Sequence, residues 1–202
     1  MAAIEIVLFD LGGVLIELGG MKEMASFSGE DSEDELWRRW LSCPWVRRFE
    51  RGLCHSEAFA EGMIESWSMN VSPDEFLKAF AGWPRGLLPG AREMVLSVDR
   101  QFRVGCLSNT NPLHAERQWR DFGIADLFTE RFFSHEMGVL KPDRDAFEFV
   151  VEALDCAPNQ IFFLDDNQIN VDGAIAAGLR AERACGPEQA SAILAKNGLC
   201  GA

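Results

Sequence analysis

The stretch "VLFDLGGVLIEL", residues 7–18, decides how the chain reads. The apolar run 6–9 ends on Asp10, two glycines follow, and a second apolar run begins. A short apolar run bounded in this way reads as a strand buried on both faces, and the glycine pair as a tight loop. Open parallel sheets collect their chemistry beyond the carboxyl ends of their strands, which makes Asp10 a candidate reactive group. It is the sole carboxylate of this stretch before Glu17. One carboxylate cannot serve at once as nucleophile, proton donor and metal cage, so the other groups must come from elsewhere. Gly12 adds a second question. It either omits a carboxylate or supplies a backbone angle that only glycine adopts freely.

Outward from residue 90 the pattern alternates. Helical spacing covers 91–100, 113–122, 144–154, 170–177 and 188–196. Between these lie the strand candidates "FRVGCLS" (102–108), "ERFFS" (130–134), "QIFFLDD" (160–166) and "LRAERA" (179–184), the last at a sheet edge. Strands separated by helices of this length make βαβ units. The expected fold is therefore α/β, a Rossmann-like parallel sheet. Residues 17–83 differ. They hold five of the six tryptophans and no convincing strand, with helical spacing over 31–41, 45–51, 56–68 and 73–80. This segment reads as a helical cap inserted into a core made of residues 1–16 and 84–202. "PRGLLPGAR" (84–92) reads as the linker returning to the core.

Composition narrows the partners. The 202 residues are 48% hydrophobic and 25% charged, as in ordinary globular proteins. Formal net charge is −13, which provides no basic field for nucleic acid or an anionic membrane. No apolar run has the length of a membrane helix, and none is preceded by the basic region of a signal peptide. Six scattered cysteines without metal spacing fit reduced thiols in the cytoplasm. Monomer and homodimer both fit.

Four stretches are expected at strand ends: Asp10, Ser108-Asn109-Thr110, Lys141-Pro142 and Asp165-Asp166. A parallel sheet brings such ends to one edge. There a carboxylate can attack phosphorus, a lysine can offset developing charge, and paired carboxylates can hold a hard cation such as Mg²⁺. Taken singly, each stretch also reads as a helix cap or a loop. In order, each after an apolar run, they form a phosphoryl-transfer set.

The set "FDLGGV", "LSNT", "LKPD" and "FLDDNQINVDGAIAAG" resembles the four motifs of the haloacid dehalogenase superfamily, and the resemblance spans essentially the whole chain. It extends to small bacterial sugar-phosphate phosphatases, including α-glucose-1-phosphate phosphatases, which "FERGLCHSEAFAE" (49–61) also resembles, and to the N-terminal phosphatase domain of soluble epoxide hydrolases. The resemblance implies Asp10 as nucleophile, forming an aspartyl-phosphate. It implies Ser108 as a phosphoryl ligand, with Asn109 beside it in binding substrate, and Lys141 as the group that orients Asp10. Mg²⁺ would be held by Asp10, the carbonyl of Gly12 and Asp166, with Asp165 and Asn170 in support. The substrate would be a small phosphorylated metabolite. Phosphatases of this superfamily commonly place a second aspartate, the acid and base, where this chain has Gly12. Its lack favours acidic leaving groups such as an anomeric hydroxyl, or a proton relay through water or a cap residue such as His55.

In the cap, "LWRRWLSCPWVRRFERG" (36–52) interleaves arginines with aromatics. It reads either as a lid that holds sugar and anion or as a tryptophan-rich core with a solvated arginine face. Trp45, Arg48 and Glu50, around an expected loop, are its candidate substrate-binding residues. His114 and His135 read as surface or supporting histidines near the crevice. Two other functions stay open: 2-haloacid dehalogenation, against which the acidic pair 165–166 weighs, and a phosphoryl-ligand-binding protein whose catalysis has lapsed with Gly12.

Overall fold

The structure, a computed structural model, describes residues 3–30 and 32–201. Its centre is β1 (Ile6–Phe9), with β4 (Arg103–Ser108) on one side and β6 (Ile161–Asp165) on the other. The outer strands β5 (Glu130–Phe133) and β7 (Arg180–Arg183) complete a parallel sheet of order β5-β4-β1-β6-β7. All four residues of β1 are buried, as a parallel strand covered on both faces requires. Val7 and Phe9 face one layer, with α6 (Ala91–Leu96) and α11 (Gly186–Lys196). Ile6 and Leu8 face the other, with α9 (Arg144–Leu154) and α10 (Gln168–Ala176). Chain order moves outward from β1 through β4 to β5, then crosses to β6. The sheet thus reverses direction around β1, and the crevice opens at the carboxyl ends of its central strands.

Between β1 and β4 the chain leaves and re-enters through an antiparallel pair, β2 (Ile16–Leu18) and β3 (Pro84–Leu87). The sequence suggested neither strand. Gly86, at φ 146, and Pro84 disguise β3 as a linker, and its pairing is the long-range contact that makes it a strand. Between them stand α1 (Met21–Ser28), α2 (Glu33–Ser42), α3 (Pro44–Glu50), α4 (Ser56–Trp67) and α5 (Pro73–Ala81). Helix α1 was unanticipated, and the helix expected over 31–41 begins at Glu33, Asp31 lying outside the described residues. Helices α2 and α5 start on serine caps, Ser32 and Ser72. Ser72 and Glu75 form a reciprocal capping box on α5, and Pro44 occupies the first turn of α3. Their core is aromatic. Phe49 and Phe59 stack at 4.3 Å between ring centroids, and Phe80 packs on both Phe59 and Trp83. The tryptophan-rich reading as a core therefore holds for Trp40, Trp67 and Trp83, all buried. On the sheet side α7 (Pro112–Asp121) touches this cluster through Leu113. The short α8 (Ser134–Met137) follows β5.

Candidate active site

Asp10 stands one residue past β1, Ser108 ends β4, and Asp165 ends β6 with Asp166 following. Lys141 comes from the loop between α8 and α9. Its Nζ lies 2.9 Å from Asp10 Oδ1 and 2.6 Å from Asp165 Oδ2, and donates to the carbonyl of Leu107 at 3.0 Å. The lysine is buried, and its ammonium survives there because two carboxylates and a carbonyl replace water. Both carboxylates hold its pKa above the ordinary lysine value despite burial.

The two acidic neighbours divide the work. Asp165 is fully buried and committed: it accepts from Lys141, from the Asn170 carboxamide at 3.1 Å and from the main-chain N–H of Asn167 at 2.8 Å. Asp166 is half-buried and turned toward the first loop. A Cβ on Gly13 would fall 2.1 Å from its Oδ2. Oxygens of Asp10, Asp165 and Asp166 all lie within 4.8 Å of one another. Burial pushes Asp10 up to about 7; Lys141 opposes this, and the charges of Asp165 and Asp166 add to it. Asp166 is likewise raised by burial and then by Asp165. Three carboxylates so close, with one lysine among them, are a donor set for a hard cation. The Gly12 carbonyl accepts no hydrogen bond among the described residues and adds a fourth oxygen. Asp165, held by Lys141 and two asparagines, orients the set.

These groups open into a crevice of about 720 Å³. Ser108, whose hydroxyl makes no hydrogen bond among the described residues, lines it with Asn109. The Asn109 carboxamide is already engaged, however. It donates to the Lys141 carbonyl at 2.8 Å and accepts from the Lys141 N–H at 2.9 Å, so it clamps the lysine loop.

The cap side differs from the sequence reading in its helix phase. Pro44–Glu50 form α3, in line with the helical spacing over 45–51, so Trp45, Arg48 and Glu50 lie on a helix and not around a loop. Val46, Arg47 and Glu50 share one face and line the crevice. Trp45 and Arg48 point the other way: the Trp45 ring covers Gly62, and the Arg48 guanidinium lies over that ring at 4.8 Å. Positions 46 and 47 are the i−4 and i−3 neighbours of Glu50, so helical spacing from Glu50 points to Arg47 in the sequence. Burial pushes the Glu50 carboxyl up to about 7, against the pull of Lys141 and Arg47. His55 is exposed at the start of α4 and does not line the crevice. His114 does line it, but as a buried strut. Its Nε2 is 2.7 Å from the Phe80 carbonyl and its Nδ1 3.1 Å from Asn111, and burial pushes its pKa down to about 4. Trp37, Trp40, Trp83 and Gln118 complete this wall, brought there by folding of the cap against α7.

Residues 4–178 match the haloacid dehalogenase-like hydrolase family, and the chain belongs to it. The chain is 30% identical to Phosphatase MT3486 of Mycobacterium tuberculosis over 89% of its own length and 86% of that protein. It is 21% identical to the D-ribitol-5-phosphate phosphatase of Bacteroides thetaiotaomicron, over 82% and 84% of the two chains. Its fold matches the crystal structure of the haloacid dehalogenase family enzyme bt-2542 from that organism, in complex with magnesium and inorganic phosphate. The TM-score is 0.70 and the identity 25%, over 90% of this chain and 94% of the other. This chain is thus a hydrolase of a family whose matched relatives include phosphatases.

Proposed function

We propose that the protein is a Mg²⁺-dependent phosphatase of small phosphomonoesters, with sugar phosphates as its substrate class. Residues 17–83 would act as the cap that selects the leaving group. The observation that carries this reading is Lys141 Nζ, fixed between Asp10 and Asp165 at the crevice floor while Asp166 stays uncommitted. Lys141 aims Asp10 and attracts the phosphoryl dianion. Asp10 attacks phosphorus and becomes an aspartyl-phosphate; water then releases phosphate and restores the carboxylate. Ser108 donates to a phosphoryl oxygen. Asp10, Asp166 and the Gly12 carbonyl would hold Mg²⁺, which when bound offsets the charge of substrate and carboxylates. The uncommitted Asp166 also weighs against dehalogenation, for which a carboxyl-rich pocket is unsuited without a cation.

The sugar reading rests on the wall opposite the floor. Trp37, Trp40 and Trp83 line that wall and supply apolar surface for a pyranose or polyol. Thr110 Oγ1, Gln118 Oε1 and Trp83 Nε1 are buried polar atoms without partners among the described residues. Such atoms are rare in folded proteins, and a polyhydroxylated ligand offers them partners after small side-chain rotations. Six free thiols support a reducing compartment such as the cytoplasm.

The test is phosphate release from a panel of sugar and polyol phosphates with Mg²⁺ and with EDTA, beside chloride release from 2-chloropropionate. Phosphate release that requires Mg²⁺ is expected. Asp10→Asn should lower it by at least about 10³-fold while the protein stays folded. Chloride release, or an Asp10→Asn variant with more than a few per cent of activity, would sink the reading.

A further inference from the structure

The described titratable groups that line the crevice are Asp10, Asp166, Lys141, Arg47, Arg183, Glu50 and His114. Three of them are spoken for by the cation and the lysine contact, and the arginines do not exchange protons at ordinary pH. The His114 ring is bonded at both nitrogens. Glu50 remains, and its carboxyl group has neither a hydrogen bond nor an ion pair with any described residue.

Its position is nonetheless fixed. Arg47, three residues earlier, pairs with Asp143 at 2.6 Å, and Arg51, one residue later, lies 3.8 Å from both Asp143 and Asp145. Gly52 fits against the main-chain carbonyl of His135, where a Cβ would come within 2.5 Å of the oxygen. These contacts dock the C-terminal end of α3 onto the loop that carries Lys141. Glu50 therefore enters the crevice from the cap, facing the lysine that holds Asp10.

We propose that Glu50 is the acid and base of the phosphatase reaction, in place of the carboxylate that Gly12 omits. The proposal rests on the phosphatase reading above. As Asp10 attacks phosphorus, the bond to the leaving oxygen breaks, and the Glu50 carboxylic proton passes to that oxygen. The Glu50 carboxylate then takes a proton from the attacking water. The new oxygen–phosphorus bond forms, the Asp10–phosphorus bond breaks, and its electron pair returns to Asp10. Phosphate leaves, and Glu50 is again protonated. A carboxyl raised to about 7 suits both steps. With Glu50 in this role the wild type does not depend on an anomeric leaving group; that dependence should appear only when Glu50 is removed.

The experiment uses the full chain with Mg²⁺ and aryl phosphates graded in phenol acidity, from 2,4-dinitrophenyl to phenyl phosphate. For Glu50→Gln, single-turnover release of phenol from phenyl phosphate should fall by about 10²–10⁴-fold. 2,4-Dinitrophenol, which leaves without a proton, should still appear at near wild-type rate. It should come as a burst of about one equivalent per enzyme, with ³²P-labelled substrate leaving its label on Asp10. Glu50→Asp should keep part of the phenyl phosphate rate and accumulate little label. A Glu50→Gln variant that follows the wild type across the series overturns the assignment, as does an equal loss on every substrate without a burst. If Glu50→Gln does not fold, a Glu50→Asp variant that accumulates label as fast as substrate is supplied also overturns it. A wild type inactive on every aryl and sugar phosphate overturns the phosphatase reading itself, which separates the two failures.

Discussion

Gly12 and Gly13 look alike in the sequence and do different work. Gly13 has φ 70, in the left-handed region, and the space its Cβ would need is filled by Asp166. Gly12 is outside that region. The nearest atoms a Cβ there would meet belong to Leu18, with Cδ1 at 2.7 Å and Cγ at 3.4 Å, a flexible side chain that is 44% exposed. The glycine required by backbone angle is thus Gly13, whereas Gly12 is not held to glycine by its backbone angle. Urea denaturation should show Gly13→Ala less stable by about 1–2 kcal/mol from the backbone angle alone, with Asp166 displaced besides. Gly12→Ala, which adds no charge to the acidic cluster, should fold and stay within about 1 kcal/mol of the wild type. A Gly12→Ala loss as large as that of Gly13→Ala would reject this division.

At the scale of elements, α7 packs the sheet layer against the helical segment, and His114 is one of its points of attachment. Asn111 caps the helix by accepting from the His114 N–H at 3.1 Å, while the ring reaches the Phe80 carbonyl at the end of α5. The ring stays neutral because burial pushes its pKa down to about 4, with the Phe80 carbonyl opposing. A histidine of ordinary pKa in the unfolded chain takes up its proton first as pH falls. Stability from this site is therefore lost between about pH 6.5 and pH 4, by about 2 kcal/mol at pH 4.5. Asp10 and Glu50, raised to about 7, act in the opposite sense there: the folded form binds their protons first. The measurement is therefore a difference. Unfolding free energy of wild type minus His114→Gln should fall by about 2 kcal/mol from about pH 7 to about pH 4.5. A flat difference would mean that the ring is not buried neutral.

For the whole molecule, the −13 charge and the acidic cluster at the crevice pull in the same direction. Like charges held together by the fold resist folding until a cation joins them. Mg²⁺ at about a hundred times its dissociation constant should stabilise the native state by about 2.7 kcal/mol. That corresponds to a rise in melting temperature of about 5–10 °C for a chain of this size. Asp166→Asn should abolish most of the shift. Equal melting temperatures in Mg²⁺ and EDTA would show that the cluster binds no such cation.

The sequence by itself determined the sheet and its floor. Apolar runs of four to six residues ending in polar groups carry their own signal, because a doubly covered strand must be apolar throughout and its end must be polar. That is why Asp10, Ser108 and Asp165-Asp166 stood out, and why the helices packed on the sheet followed from their spacing. Tertiary structure decided what depends on contacts between distant segments. The pairing of β2 with β3 made strands of a linker and a flank. The phase of α3 turned Trp45 and Arg48 away and brought Arg47 in. Asn109 was spent on the Lys141 loop, and His114 became a buried strut. Apart from Arg47, to which the helical spacing from Glu50 points, none of these carries a local pattern, since each is settled by which partner occupies the facing surface. The crevice floor is written in strand ends close to one another in the sheet, whereas its roof exists only once the cap has docked.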